Sequence, residues 1–415
     1  MALPIVIVGA SLAGLRAAQA VRAGGHEGPL TVIGAEEHLP YTRPPLSKEL
    51  LRGEQEPAHC ALPGTAALDD VAWRLGTPAT GLDRAAKAVV LDDGDRVPYG
   101  RVILATGSRA RTWDGAGAGL DGVFTLRDLG DALALRAALR AGGRLVVVGA
   151  GFVGCEVAAT AAHRGVHVTV VDIADHPMLP LGPELGARMA DLHREHGVTF
   201  RLGTGVRGLR GPGQVTTVEL ADGTSLEADA VLIATGAVPN GEWLAGAGLT
   251  MHRGGVVVDR TLTSVDDPDV LVAGDLACWP SPIDPDDVVR VEHWTNAAEQ
   301  GALAGRNALV DDPAERAAQT SVPTFWSDQY DRKVQAVGLP GAADEIAIAE
   351  STPEGDRLVA IGVRDGRLVA AIAFNATKRL GWYRRQLAAG AEARDIRAAV
   401  AADPAALGAS REPVA

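Results

Sequence analysis

This sequence predicts an α/β protein with two Rossmann-like dinucleotide-binding domains and a C-terminal α+β domain. Three observations lead there. A strand–glycine–helix pattern opens at Ile5 and opens again at Leu145. A train of shorter motifs follows both openings in the same order. From about Ser321 the texture changes to short alternating strands. A chain of 415 residues is also too long for one hydrophobic core.

The first module begins with IVIVGASLAG, Ile5 to Gly14. Its apolar run is strand-sized, and an Ala-rich helical pattern follows the glycines. Gly9 permits the tight turn and Gly14 lets helix and strand approach closely; Ser11 stands at the middle glycine position. A pyrophosphate would rest on the helix N-terminus, where N–H groups and the dipole favour negative charge. The next strand, TVIGAEE, carries Glu36, the acid expected to bind ribose hydroxyls. RLGT at 74–77, a hairpin turn at Asp93-Gly94 and ILATG at 103–107 complete the module. The second module opens with LVVVGAGFVG, in which Gly149, Gly151 and Gly154 make a complete G-x-G-x-x-G. Its second strand, VHVTVVD, ends at Asp172, about 20 residues downstream as an NAD site requires. RLGT returns at 201–204, the turn at Asp222-Gly223 and the Ala-Thr-Gly end at LIATG, 232–236.

After the second module, VLVAGDLACWP reads as a strand running into Gly274-Asp275, and Ala297 to Leu309 as a helix. The third domain follows with the strands VQAVGL, EIAIAE and LVAIGVRDGRLVAAIAF, the last turning at Asp365-Gly366. A helix is expected over Lys378 to Ala389, and a loose Ala- and Pro-rich tail from about Asp403. The expected domains are 1–111 with 250–318 for FAD, 112–249 for NAD, and 319–415 for the α+β domain.

Composition narrows the function. A net charge of -13 argues against nucleic-acid binding. Cys60, Cys155 and Cys278 form no C-x-x-C pair, which points to reduced thiols and no structural metal site. Apolar runs are too short to cross a membrane, and Ala2 to Val8 lacks the basic flank of a signal peptide. A cytoplasmic location is the default. Two dinucleotide sites in one chain are most simply FAD plus NAD(P)H, with hydride passing between stacked rings. Asp275 is placed to accept hydrogen bonds from ribityl hydroxyls. Ile173, Ala174 and Asp175 follow Asp172, so a 2′-phosphate would meet no cation there and NADH is expected over NADPH.

The segment Tyr41-Thr42-Arg43-Pro44-Pro45-Leu46-Ser47-Lys48 resembles the YxRPPLSK signature of bacterial NADH-dependent ferredoxin reductases. This is the putidaredoxin reductase and biphenyl dioxygenase reductase group, with a glutathione-reductase type of fold. VEHWTNAAEQ at 291–300 and PTFWSDQYD at 323–331 agree, and the resemblance runs from about residue 4 to about residue 340. It implies FAD-binding roles for Gly9, Ser11, Leu12, Ala13, Gly14, Glu36, Arg43, Lys48, Ala79, Thr106, Gly107, Arg127, Asp275 and Trp294. It implies NAD-binding roles for Gly149, Gly151, Phe152, Val153, Gly154, Glu156, Asp172 and Gly236. Ala13 matches a pyrophosphate contact, Ala79 a main-chain contact to adenosine, and Arg127 an arginine near FAD. Lys48 approaches the flavin ring, Trp294 lies beside it and Glu156 lies near the nicotinamide; these three are the catalytic candidates. The family often has Asp where this chain has Ala35, which leaves Glu36 as the substitute ribose ligand.

Disulfide reductases of this fold use a C-x-x-x-x-C pair, and related peroxidases a cysteine in the region of Tyr41 to Lys48; this chain has neither. Electrons therefore leave the flavin for an external acceptor. The resemblance implies a small [2Fe–2S] ferredoxin that serves a cytochrome P450 or a dioxygenase. Ferredoxins are acidic, and Arg332, Lys333, Lys378, Arg379, Arg384 and Arg385 are candidates for a basic docking patch. A monomer or weak dimer is expected. Two other readings stay open: an NADH oxidase using oxygen, and a low-turnover redox-sensing flavoprotein resembling apoptosis-inducing factor.

Overall fold

The structure, a computed structural model, describes residues 3–283, 287–403 and 407. The chain forms two compact units. The first comprises Met1–Thr42, Cys60–Arg109 and Val238–Thr324; the second comprises Arg43–His59, Ala110–Ala237 and Phe325–Ala415.

The first unit is built on a six-stranded sheet. Its strand order is Thr263–Ser264, Asp267–Val272, Arg101–Leu104, Ile5–Val8, Leu30–Ile33 and Ala72–Arg74. All neighbours are parallel except the antiparallel outermost pair. The runs IVIV and RVIL are buried at every residue, as strands covered on both faces must be. Helix Leu12–Ala23 follows the central strand and packs against helix Trp294–Asn307. That second helix starts three residues before the expected Ala297, because His293 takes an extended conformation and ends the incoming loop. A three-stranded meander, Ala79–Asp83, Ala88–Leu91 and Arg96–Pro98, carries the Asp93-Gly94 turn.

The second unit repeats the plan. A wholly parallel sheet runs Thr199–Leu202, His167–Asp172, Arg144–Val148, Ala230–Ile233 and Val123–Phe124. Helix Phe152–His163 follows the central strand, and the meander Val206–Arg210, Thr217–Leu220 and Ser225–Glu227 carries Asp222-Gly223. The two RLGT motifs sit at one structural place. Arg74 and Leu202 end the equivalent edge strands, and Gly76 and Gly203 turn the chain away with φ of 66° and 72°.

The second unit also holds a five-stranded C-terminal sheet, ordered Thr324–Gln329, Arg332–Gly338, Arg367–Phe374, Leu358–Arg364 and Glu345–Ser351. Asp365 and Gly366 both have positive φ, as a two-residue hairpin turn demands. Helix Thr377–Ala388 packs on this sheet, one residue from its expected bounds. Expected domains and compact units differ in several places. Residues 43–59 group with the second unit, 238–249 and 319–324 group with the first, and the chain from Phe325 does not stand apart from the second dinucleotide module. The reason is a shared core, in which Leu51, Val334, Leu358, Ile372 and Phe374 pack into one cluster with Leu145, Val147 and Val157. Apart from Leu407, the stretch after Asp403 lies outside the described residues.

Candidate functional site

The two glycine turns have the same geometry. Gly9 has a φ of 124°, and a Cβ there would lie 2.0 Å from the Ala105 carbonyl oxygen. Gly149 has a φ of 110°, and its Cβ would lie 2.4 Å from the Ala234 oxygen. Gly14 and Gly154 each press against the first glycine of their own turn, at 1.8 and 2.1 Å for an added Cβ. The middle position differs for a physical reason. Gly151 has a φ of -72° and open space at its Cβ position, so the equivalent Ser11 is accommodated without strain. Both helices that follow lack a side-chain cap and an acid in the first turn. Elsewhere the chain caps in the ordinary way, as where the Asp128 carboxylate accepts the Asp131 N–H at 2.8 Å. Two uncapped, uncharged helix starts leave N–H groups and the positive dipole end for an anion, so these residues fit a pyrophosphate.

Around the first turn the unit gathers several expected residues. Asp275 is buried on the short turn Gly274–Leu276 and accepts the Ser108 hydroxyl at 2.6 Å. The Gly274 N–H donates to Gln300 Oε1 at 2.9 Å, and a Cβ on Gly274 would lie 3.3 Å from Ala13 Cβ. Trp294 opens the helix that packs against this turn. Its neighbour His293 is pushed down to about 4, chiefly by burial and against the opposing charge of Asp275. The Thr106 hydroxyl donates to the Asn240 carbonyl at 2.7 Å. Gly107 follows with open space at its Cβ position. Glu36 accepts the Tyr41 hydroxyl. Ala79 starts the meander, paired with Leu91.

In the second unit, Asp172 binds its own module. Its Oδ2 accepts the Ala150 N–H at 2.6 Å and its Oδ1 the Ala174 N–H at 2.8 Å. Lys48 and Glu156, expected separately, meet as a buried ion pair at 2.6 Å, with 9% and 8% of their side chains exposed. Pro44 and Pro45 start the short 3-10 turn Pro44–Ser47 that delivers Lys48. A buried pair needs further hydrogen bonds to offset desolvation. Glu156 has them: Ser47 donates at 2.5 Å and Ser327 at 2.6 Å. The Lys48 ammonium also donates to the Pro44 carbonyl at 3.3 Å. Arg43 and Arg127 are likewise joined, the guanidinium donating to the Arg127 carbonyl at 2.6 Å. Ser47 and Ser327 were not anticipated, although both lie inside quoted motifs, YTRPPLSK and PTFWSDQYD.

Other expectations resolve differently. Arg379 leaves the basic patch: it pairs with the fully buried Glu350 at 2.9 Å and with Asp403 at 2.9 Å. A buried carboxylate demands a cation, and the nearest arginine on the packed helix turns inward to supply it. Lys378 and Arg385 remain exposed. All three cysteines are buried, and burial raises the Cys155 thiol far above its ordinary value. Among the described residues there is no cluster able to hold a metal ion and no helix long and apolar enough to cross a membrane.

A fold with two nucleotide turns, a buried lysine–glutamate pair and a C-terminal sheet can be compared with known proteins. The family model described as pyridine nucleotide-disulphide oxidoreductase matches residues 3–301, and the chain belongs to that family. A second model, described as reductase C-terminal, matches residues 324–407. The anthranilate 1,2-dioxygenase system ferredoxin–NAD(+) reductase component of Burkholderia cepacia is 38% identical over 392 residues, covering 94% of this chain and 95% of that protein. Rhodocoxin reductase of Rhodococcus erythropolis is 38% identical, covering 85% and 82%. Among solved structures, the covalent putidaredoxin reductase–putidaredoxin complex matches with a TM-score of 0.87 and 33% identity, covering 94% of this chain and 93% of that one.

Proposed function

We propose that this chain is an NADH-dependent ferredoxin reductase. It passes electrons from NADH through FAD to a small [2Fe–2S] ferredoxin that serves a cytochrome P450 or a dioxygenase. The carrying observation is a pair of open dinucleotide turns in one chain whose sequence has no C-x-x-x-x-C motif. The names of its near-full-length relatives, reductases of ferredoxin for oxygenase systems, support the acceptor class. Bound FAD supplies the conversion of one two-electron donation into two one-electron deliveries. One NADH thus reduces two ferredoxins and releases one proton.

The chain's own residues bind, orient and balance charge. The turn from Gly9 through Ser11, Leu12 and Ala13 to Gly14 offers N–H groups to the FAD pyrophosphate. Glu36 faces its ribose, and Ala79, Thr106 and Gly107 border its adenosine and backbone approach. Asp275, oriented by Ser108, accepts from the ribityl chain. Arg43 and Arg127 add positive charge near FAD, and Trp294 lies beside the ring. Gly149, Gly151, Phe152, Val153, Gly154 and Gly236 would receive NADH, with Asp172 accepting from its ribose. Lys48 stabilises negative charge on the reduced flavin, and Glu156 holds Lys48 and borders the nicotinamide. Cys155 stays a buried thiol with no part in the chemistry.

Asp172 is followed by Ile173, Ala174 and Asp175, so a 2′-phosphate meets carboxylates and no cation. The kcat/KM for NADH therefore exceeds that for NADPH, and a preference for NADPH would overturn this part. The deciding assay is NADH-driven reduction of candidate ferredoxins coupled to cytochrome c. Oxygen uptake as fast without ferredoxin as the coupled rate would favour an NADH oxidase instead. Lys378, Arg384, Arg385, Arg332 and Lys333 make the docking patch, and raising ionic strength slows the ferredoxin step but not flavin reduction. A cytoplasmic setting belongs to the same reading, supported by a cysteine spacing that forms no C-x-x-C pair.

A further inference from the structure

Glu156 ends a row of hydrogen bonds that the reading above does not use. Its Oε1 lies 2.6 Å from Ser327 Oγ. Ser327 Oγ lies 3.0 Å from Gln329 Nε2, and Gln329 Oε1 lies 2.8 Å from His193 Nε2. His193 Nδ1 lies 3.2 Å from the Tyr330 hydroxyl. Ser327, Gln329 and His193 are at most 1% exposed.

The directions of these bonds are forced. A carboxylate only accepts, so Ser327 donates to it and accepts from the Gln329 amide. The Gln329 carbonyl then accepts, so His193 carries its proton on Nε2. Its Nδ1 accepts from Tyr330. Four bonds in a row point at Glu156, and in a low-dielectric interior each strengthens the next. Burial pushes His193 down to about 4, outweighing the Gln329 bond that raises it, so the ring is neutral as a single-proton tautomer requires.

Tyr330 gives an independent sign. It sits in the turn between strands Thr324–Gln329 and Arg332–Gly338 with a φ of 54°. Glycine or asparagine would close such a turn with less strain than a bulky tyrosine. The tyrosine ring stacks on His196 at 3.8 Å between centroids and 17° between planes. The turn keeps a side chain that its backbone disfavours, and that side chain starts the row.

We infer that Tyr330, His193, Gln329 and Ser327 are positioning residues that act as one chain, aiming the Glu156 carboxylate at Lys48 and so setting the charge felt by the bound flavin. The inference rests on the reading that Lys48 faces the flavin. It gives the C-terminal sheet, which supplies three of the four residues, a part in flavin reduction besides docking the acceptor.

The test uses the FAD-loaded full chain and reads the flavin midpoint potential by equilibration with a reference dye, with thermal stability and FAD content alongside. Ser327→Ala and Gln329→Leu withdraw the donors that hold the carboxylate against Lys48, leaving the Lys48 charge less closely balanced. The reduced-to-oxidised ratio at a given poise then rises about tenfold, about 30 mV for a two-electron couple. Ser327→Thr, which keeps the hydroxyl, returns it to the parent value. Tyr330→Phe keeps ring and stack, loses only the hydroxyl, and gives a smaller shift of the same sign; it carries the test if a core variant folds poorly. Lys48→Met shifts the potential the opposite way. If Lys48→Met moves the potential while the chain variants leave it at the parent value, the positioning chain is wrong and the reading of Lys48 stands. If Lys48→Met has no effect, both are overturned.

Discussion

The same glycine turn is built twice and covered by different material. In the first unit, helix Leu12–Ala23 lies against helix Trp294–Asn307 across glycines. A Cβ on Gly301 would sit 2.2 Å from the Ala13 carbonyl, and one on Gly305 2.4 Å from that of Ala17. In the second unit, helix Phe152–His163 is buried from Gly154 to Ala161, and its cover is Ser47, Lys48 and Ser327 around Glu156. Two residues past the last glycine the copies diverge, to Arg16 in one and Glu156 in the other. Arg16 donates to the Gln19 side chain on its own helix. On the proposed reading, the turn is therefore a generic device for binding a pyrophosphate. The specialised chemistry lies just beyond it, in what the helix buries and against what.

The largest test of the comparison breaks each turn separately. In Gly9→Ala the new Cβ lands on the Ala105 carbonyl, and the expected outcome is protein that retains no FAD. Gly149→Ala suffers the equivalent clash in the other copy. It retains FAD, while its Kd for NADH rises on the order of 100-fold, about 3 kcal/mol. Flavin absorbance after desalting and NADH titration read the two effects. The reverse pattern would exchange the cofactors between the units.

Next comes the charge that only the second copy buries. Lys48→Met strands the Glu156 carboxylate and lowers unfolding stability by about 3–5 kcal/mol. The double variant with Glu156→Gln recovers most of that loss. Arg16→Met, the matched change in the first copy, stays within about 0.5 kcal/mol. Urea unfolding at saturating FAD distinguishes them, and equal losses at positions 16 and 48 would refute the contrast.

Each unit also buries a histidine pushed down to about 4, His293 in the first and His193 in the second. The unfolded chain takes up a proton that each native site refuses. Stability is therefore complete above about pH 6.5 and falls on acidification towards pH 4, by about 3 kcal/mol for each site. His193→Gln keeps a donor for Gln329 and removes one of the two contributions. The fall in Tm between pH 6.5 and pH 4.5 becomes shallower, and an unchanged slope would place the acid sensitivity elsewhere.

What the sequence disclosed follows from the range of each interaction. The glycine turns and strand ends are local, so Gly9, Gly149 and the two RLGT motifs were readable directly. Lys48 and Glu156 were each legible as parts of motifs, but their pairing was not. Glu156 meets Ser47 across 109 positions of sequence and Ser327 across 171. No period or spacing encodes such a meeting. Arg379 misled for a related reason: its cationic character is plain in sequence, while the buried Glu350 that claims it lies 29 positions earlier on a strand. His193 was hidden within an ordinary helical pattern, and only its burial against Gln329 sets it apart.

The smallest expected effect sharpens the comparison at the ends of the second strands. Asp172 receives two backbone N–H groups, one of them from the glycine turn itself, so any variant disturbs the turn together with the proposed ribose contact. Glu36 stands one position beyond Ala35 and receives the side chain of Tyr41. Glu36→Gln still accepts from Tyr41 and leaves the turn intact, so the Kd for FAD rises only about threefold, under 1 kcal/mol. Asp172→Asn weakens NADH more than Glu36→Gln weakens FAD, because a carboxylate accepting backbone donors is worth more than a neutral amide in that place. A loss of FAD affinity of thirtyfold or more in Glu36→Gln would instead make Glu36 a ribose ligand of the same rank as Asp172. The missing acid at Ala35 would then be fully replaced one residue later.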